Sequence, residues 1–166
     1  MQIISSSIGN YIIRNCKNDD LSSVIDVNVN TLPENYTNYF YETLLTELPE
    51  AFLVAEISDK CVGYIMCTME YGFSNFKKLG FVKKGHVVSI AVLENHRGRG
   101  IGTALITGAL FGIKSKKCDE LYLEVRCSNE IAVKLYEKLG FVVKNMLKTY
   151  YKDGEDAYLM AIEFNY

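Results

Sequence analysis

No stretch of this sequence approaches the 18 or so uninterrupted apolar residues of a membrane-spanning helix, which excludes an integral membrane protein of the helical kind. The N-terminal run MQIISSSIGNY lacks the charged start and long apolar stretch of a secretory leader, so the expectation is a soluble, cytoplasmic protein. Neither sign of charge is in excess: 18 basic and 20 acidic residues leave a net charge of −2. No global attraction to nucleic acid or to an anionic membrane follows, and any basic patch has to be local. Tryptophan is absent and prolines number 2, while 49% of residues are hydrophobic, a composition without the polar bias of disorder. The five cysteines (Cys16, Cys61, Cys67, Cys118, Cys127) are an odd number, and none belongs to a pair of C-x-x-C motifs or a histidine cluster. A secreted disulfide framework and a structural zinc are thereby disfavoured; a reduced compartment and no metal are expected. Repeats, linkers and low-complexity segments are also missing.

What is present fits one domain, residues 1–166, long enough to bury roughly two thirds of its unfolded surface. YIIRNC (11–16) reads as a strand. Asp19 or Asp20 can cap a helix with the apolar stripe Leu21, Val24, Ile25 and Val29, which Pro33 closes. TNYFYETLLTEL (37–48) is a second helix, halted by Pro49. AFLVAEI and VGYIMCTMEY flank SDKC as an antiparallel hairpin, and a looser stretch (72–84) precedes a strand at 86–93. The next helix repeats Ile101, Leu105, Ala109 and Ile113 at fourfold spacing. A strand at 120–126, a helix at 128–140 capped by Ser128 and stopped by Gly140, and strands at 141–150 and 157–164 complete the chain. The order predicts an α/β fold with a mixed central sheet of about seven strands flanked by four helices, the β-α-β units at 86–126 and 120–150 pairing in parallel.

The densest motif is HRGRGIG (96–102), which follows the apolar run VVSIAVL after only Glu94 and Asn95. A turn from a strand into a helix exposes unpaired backbone N–H groups beside the positive end of the helix dipole, and glycines let a ligand come close. Arg97 and Arg99 add guanidinium forks suited to phosphate oxygens. The spacing excludes two familiar phosphate loops: the sixth position counted from Gly98 is Thr103 and from Gly100 is Leu105, so there is no G-x-G-x-x-G, and no window matches a P-loop. What remains is Arg97-x-x-Gly100-x-Gly102, either a phosphate cradle or a tight turn with incidental arginines.

This R-x-x-G-x-G after an apolar strand, with LEVRCSNEIAVKLYEKLGF some thirty residues later, resembles the acetyl-CoA site of the GNAT acetyltransferase superfamily. The resemblance implies a GNAT-like domain in which the loop amides wrap the pyrophosphate of acetyl-CoA and the preceding strand splays to pair with its pantetheine arm. Carried over, the cofactor-binding residues are Arg97, Gly98, Arg99, Gly100, Ile101, Gly102 and Thr103, with Ile90 and Val92 on the strand.

Acetyl transfer to an amine needs a neutral amine and a proton for the departing thiolate. Glu124 alternates with apolar Leu121, Leu123 and Val125 and so lies on the opposite strand face. The segment resembles ribosomal-protein alanine acetyltransferases, which implies that Glu124 is a base acting through water; the competing reading is a rim carboxylate paired with Arg126 or a lysine. The resemblance likewise implies that Tyr136 is the acid and that Asn129 contacts the cofactor. The plainer readings are a core tyrosine and a helix cap. His86, at the start of its strand, is either a further base or a polar strand end.

TLPENY (31–36) and TYYKDGEDAYLM (149–160) resemble the catalytic subunit of NatA, where such loops close over an entering peptide. That resemblance implies that Leu32, Pro33, Glu34 and Tyr36 line the slot for the first residue, that Glu34 orients or deprotonates the amine, and that Tyr150 and Tyr151 hold the peptide backbone. An α-amino group, with a pKa near 7.7–8.0, costs roughly 3.5 kcal/mol less to present neutral than a lysine at about 10.4. The chain departs from the animal NatA pattern in having Glu124 and in carrying no long charged tail after Tyr166, which points to a prokaryotic or archaeal enzyme working without a large auxiliary subunit. The implied substrates are protein N-termini beginning with Ser, Ala, Thr or Gly, or with Met. An internal lysine or a small amine is the alternative acceptor, and a non-catalytic acyl-CoA-binding module the alternative of another class. NFKKLGFVKK (75–84) interleaves Lys77, Lys78, Lys83 and Lys84 with Phe76 and Phe81. It is either a transient contact with RNA or the ribosome, or a solvated hairpin with its phenylalanines packed beneath.

Overall fold

A computed structural model describes residues 4–6 and 10–166. The reading of a leader's absence rests partly on residues 1–3 and 7–9, which lie outside the described residues. Among the described residues there are eight strands and four α-helices: β1 (Ile4–Ser6), β2 (Tyr11–Asn15), α1 (Leu21–Thr31), α2 (Asn38–Glu47), β3 (Phe52–Ile57), β4 (Lys60–Phe73), β5 (Phe81–Val92), α3 (Ile101–Ser115), β6 (Glu120–Arg126), α4 (Glu130–Lys138), β7 (Val142–Leu147) and β8 (Ala157–Glu163). This is the expected α/β order with one short strand added at the start. Two compact units divide it, residues 1–68 with 88–113, and residues 69–87 with 114–166; β4 and β5 run through both.

In the first unit the strands follow in the order β1-β2-β3-β4, each pair antiparallel. Ser58 and Asp59, both with positive φ (49° and 62°), make the tight turn that joins β3 to β4, a backbone whose twist matches that of the strands. Thr37 caps α2 by accepting from the Phe40 amide. The capping expected of Asp20 does not occur: it sits before α1 without a cap bond, because its carboxylate takes the Lys17 amide (2.8 Å) and the Arg14 guanidinium (2.7 Å) instead. Those partners hold the Asp20 carboxyl below its ordinary range. The buried face of α1 is Leu21, Val24, Val27 and Asn28, while Val29 points outward. With Tyr41, Leu44, Phe52, Val54, Tyr64 and Met66 it forms the core beside α1 and α2. On α3, Ile101, Leu105, Ala109 and Ile113 are all buried, as their spacing predicts. Gly112 brings α3 against the turn at Pro49–Ala51, where a Cβ would stand 2.1 Å from the Glu50 carbonyl oxygen.

In the second unit the order is β5-β6-β8-β7. β5 and β6 pair in parallel from Lys84↔Glu120 to His86↔Tyr122, and the other pairs are antiparallel. The expected parallel unit over 120–150 is therefore corrected, since β8 lies between β6 and β7. Hydrophobicity gives the reason: β8 buries Ala157, Met160 and Ala161, whereas β7 carries Lys144 and Asn145 and is exposed along most of its length, so the more apolar strand takes the position paired on both sides. β4 extends to Phe73 and β5 begins at Phe81, so strand occupies both ends of the stretch expected to be loose. Asn129, not Ser128, caps α4, accepting from the Ala132 amide at 3.2 Å, while the Ser128 hydroxyl donates to Glu155 at 2.6 Å. Gly140 ends that helix with a φ of 98°, in the region glycine enters without strain.

Candidate active site

After β5 the chain makes a 3-10 turn at Glu94–His96 and then turns into α3. Arg97 folds back so that its Nε donates to the Val92 carbonyl at 3.0 Å, which ties the loop to the strand end. Gly98 and Gly100 hold φ values of 75° and 81°, where a side chain would be strained. The Gly100 carbonyl is anchored by the Tyr11 hydroxyl (3.3 Å) and the Ala104 amide (3.0 Å). From Gly98 to Thr103 six consecutive backbone N–H groups carry no hydrogen bond among the described residues. The first three lead into a 15-residue helix and the last three form its first turn, and Arg97 and Arg99 are exposed beside them. Ile101 is buried, so its amide joins the row while its side chain anchors the helix. Ile90 and Val92 are half-buried, and Gly102 lies within the helix.

The stretch Leu32–Tyr36 of the first unit is tied to its core from below. Leu32 is extended, the backbone preferred before a proline. Buried Asn28 donates through Nδ2 to the Glu34 carbonyl (3.1 Å) and to the Tyr64 hydroxyl (2.8 Å), and that hydroxyl meets Ser89 Oγ on β5 at 2.6 Å. Tyr36 donates to the Val88 carbonyl (3.3 Å) and stacks on Phe40. Leu32 and Glu34 are half-buried, and Pro33 is exposed.

In the second unit His86 Nε2 and Glu124 Oε2 stand 2.6 Å apart, with side chains 23% and 16% exposed. The sequence offered these two residues separately; the structure brings them together. Glu124 is thus a paired carboxylate, but not with Arg126, whose guanidinium is taken by Asp153 (2.8 Å) and Glu155 (3.2 Å) and lies over the Tyr151 ring. Tyr122 stacks on the His86 ring with centroids 4.4 Å apart and donates its hydroxyl to the Glu70 carboxylate, so the imidazole is braced on one face. Tyr136, on α4, is 7% exposed and packs against Phe141, and its hydroxyl makes no hydrogen bond among the described residues. Burial pushes that phenol up to about 12. Asn129 spends its oxygen on the helix cap. Tyr150 and Tyr151 meet edge to face, 5.0 Å apart, in the loop after β7 rather than on the strand.

Sequence reasoning missed Asn28, Tyr64, Ser89 and Tyr122. Asn28 falls seven residues after Leu21, on the buried side of α1, and a polar residue there is the signal. Tyr122 alternates with Glu124 along β6 and shares its face. Among the described residues no group of three or more His, Cys, Asp or Glu is placed to hold a metal ion, and no helix is long and apolar enough to cross a membrane.

Residues 21–141 match the Acetyltransferase (GNAT) family. The chain is 53% identical over 153 residues to an N-alpha-acetyltransferase of Sulfurisphaera tokodaii, covering 91% of this chain and 92% of that one. Among solved structures it is similar to Ard1 from Thermoplasma volcanium, with a TM-score of 0.79 at 30% identity, over 95% of this chain and 99% of that one. It is also similar to Arabidopsis thaliana Naa50 in complex with the bisubstrate analogue CoA-Ac-MVNAL, with a TM-score of 0.78 at 26% identity, over 93% and 99% of the two chains. With a glycine-arginine turn of free amides after a central strand, and with relatives that match along nearly its whole length, this chain belongs to the GNAT acetyltransferase family.

Proposed function

We propose that this chain transfers the acetyl group of acetyl-CoA to the free α-amino group of protein N-termini. One observation carries the reading: the row of six unpartnered amides from Gly98 to Thr103 at the start of α3. Such a row suits a diphosphate, whose oxygens supply the missing acceptors. A Cβ at Gly98 would meet nothing within 4 Å, so there is room for an anion against the backbone, and Arg97 and Arg99 add charge. The backbone of Ile90 and Val92 and the free amide nitrogen of Asn129 serve the remainder of the cofactor, Asn129 acting as both cap and contact. Acetyl-CoA supplies an acyl group activated as a thioester.

His86 and Glu124 remove the proton from the amine, directly or through water; whichever takes it first, the other stands at 2.6 Å to share the charge. Tyr136, kept protonated by burial, gives its proton to the departing sulfur. Leu32, Pro33, Glu34 and Tyr36 receive the first residue, with Glu34 orienting its amine, and Tyr150 and Tyr151 bind the peptide backbone. The name of the S. tokodaii relative and the peptide analogue bound to Naa50 support an N-terminal acceptor over lysine. We read residues 1–166 as one catalytic domain, since the family match runs through both compact units, and as NatA-like and RimI-like in acceptor, working in the cytoplasm.

The test follows thiol release with acetyl-CoA and peptides beginning Ser, Ala, Met-Leu and Met-Glu, with free lysine and spermidine alongside. Tyr136→Phe is expected to lower kcat by about 10²–10³, with Glu124→Gln or Glu34→Ala falling at least tenfold. Turnover of lysine or spermidine but of no peptide would overturn the acceptor, and unchanged rates in all three variants would overturn the roles.

A further inference from the structure

The exposed side of the β4–β5 hairpin does not hide its aromatic rings. Phe73 and Phe81 meet edge to face, 6.0 Å apart, yet stay 76% and 70% exposed. The expectation that the hairpin's phenylalanines pack beneath it holds only in part: Phe76 is half-buried and lies under Lys144, while Phe81 stands in solvent. Tyr71, two residues before Phe73, and Lys83, two after Phe81, share their strand face.

That face continues onto the turn after α3. Lys83 exchanges backbone bonds with Asp119, whose amide donates to the Lys83 carbonyl at 2.7 Å and whose carboxylate accepts the Lys83 amide at 3.0 Å. Lys83 Nζ donates to the Lys116 carbonyl at 2.8 Å. Tyr166 donates to the Cys118 carbonyl, and the Lys114 and Lys117 ammoniums stand 5.7 and 5.1 Å from its ring. Lys83, Lys114, Lys116 and Lys117 thus belong to one region, with Lys77 and Lys78 in the turn that joins β4 to β5, in a protein of net charge −2. The carboxylates beside them are already engaged, Asp119 with the Lys83 amide and Glu163 with Lys77.

We propose that this surface, Tyr71, Phe73 and Phe81 with the lysines around them, binds single-stranded RNA. The two halves of the chemistry are matched: ammonium groups for phosphates and exposed rings on which unpaired bases stack. The lysines around this ring pair disfavour a protein partner, whose buried core would hold few of them. Binding is independent of acetyl transfer, so an enzyme that acts on newly made N-termini can rest on RNA while its chemistry proceeds elsewhere.

Fluorescence anisotropy of a labelled oligouridine with the whole protein tests this. Contact with about four phosphates predicts an affinity falling roughly 50-fold between about 50 and 200 mM salt. Phe73→Ala with Phe81→Ala should weaken binding about tenfold or more at the same salt slope. Lys78→Ala, Lys114→Ala and Lys117→Ala together should flatten the slope. Acetylation of a short peptide stays unchanged in both sets, which separates this result from the fate of the acetyl-transfer reading. If the phenylalanine pair fails to fold, the lysine set alone decides. No RNA binding, binding unaltered in the variants, duplex RNA held as tightly as single strands, or phosphatidylserine vesicles captured in place of RNA would each overturn the proposal.

Discussion

Burial acts on Tyr136 twice. It places the phenol where water cannot compete for it, and it raises the pH at which the phenol ionises to about 12, against an ordinary value near 10. In the unfolded chain the group ionises first, so native stability is intact below about pH 10 and declines as pH rises toward 12. The urea midpoint of the wild type is expected to fall between about pH 9 and 11, with Tyr136→Phe losing about 1 kcal/mol less over that span. An equal decline in both proteins would contradict a protonated buried phenol. Glu124 shows what a sequence withholds at this scale. Its face on β6 was legible from alternation, but its partner was not. Arg126 is two residues away and turns to Asp153 and Glu155, while His86 is thirty-eight residues away and reaches Glu124 only because β5 and β6 pair in a parallel register. Periodicity determines faces; register between distant strands comes from the packing of the whole sheet.

Helices whose apolar residues recur at a single spacing were readable almost to their ends. On α3 all four predicted positions are buried, and Pro33 and Pro49 follow the ends of α1 and α2 as expected. The errors fell where polar residues take up backbone groups: Asp20 bonded to Arg14 rather than capping α1, and Asn129 displaced Ser128 as the cap of α4. The first choice depends on Arg14 and Lys17, which lie on the N-terminal side of Asp20, and the second on Glu155, twenty-seven residues beyond Ser128. Strand order between β6, β8 and β7 escaped for a similar reason, since the greater apolarity of β8 decides which strand lies inside. The turn into α3 separates conformation from space. At Gly98 a Cβ would meet nothing within 4 Å, yet φ is 75°. Gly98→Ala is therefore expected to cost about 1–2 kcal/mol through the backbone alone, raising the KM for acetyl-CoA several-fold with kcat near the wild-type value. An unchanged KM would mean that this bend does not grip the cofactor.

Across the molecule, five cysteines are free and their environments differ. Burial pushes Cys16 up to about 12 and Cys61 up to about 11, and Cys67 and Cys118 are raised by the same cause. Since the thiolate is the reactive form, these four are silent at neutral pH. Ellman's reagent is expected to find a single fast thiol, half-buried Cys127, and all five after denaturation. Cys127→Ser should remove the fast phase, and a fast phase that survives it would place reactivity in the core. The amide of Asn28 has a consequence on the same scale, because it joins the stretch that includes Glu34 to Tyr64 and Ser89 in the interior. On the proposed reading of this stretch as the slot for the first residue, anyone redesigning the enzyme to accept a different leading amino acid inherits a rim that cannot be slid or widened without unpicking the centre. Changes of taste must come from swapping side chains on a stationary frame, and loops grafted from cousins will import their own moorings or fail.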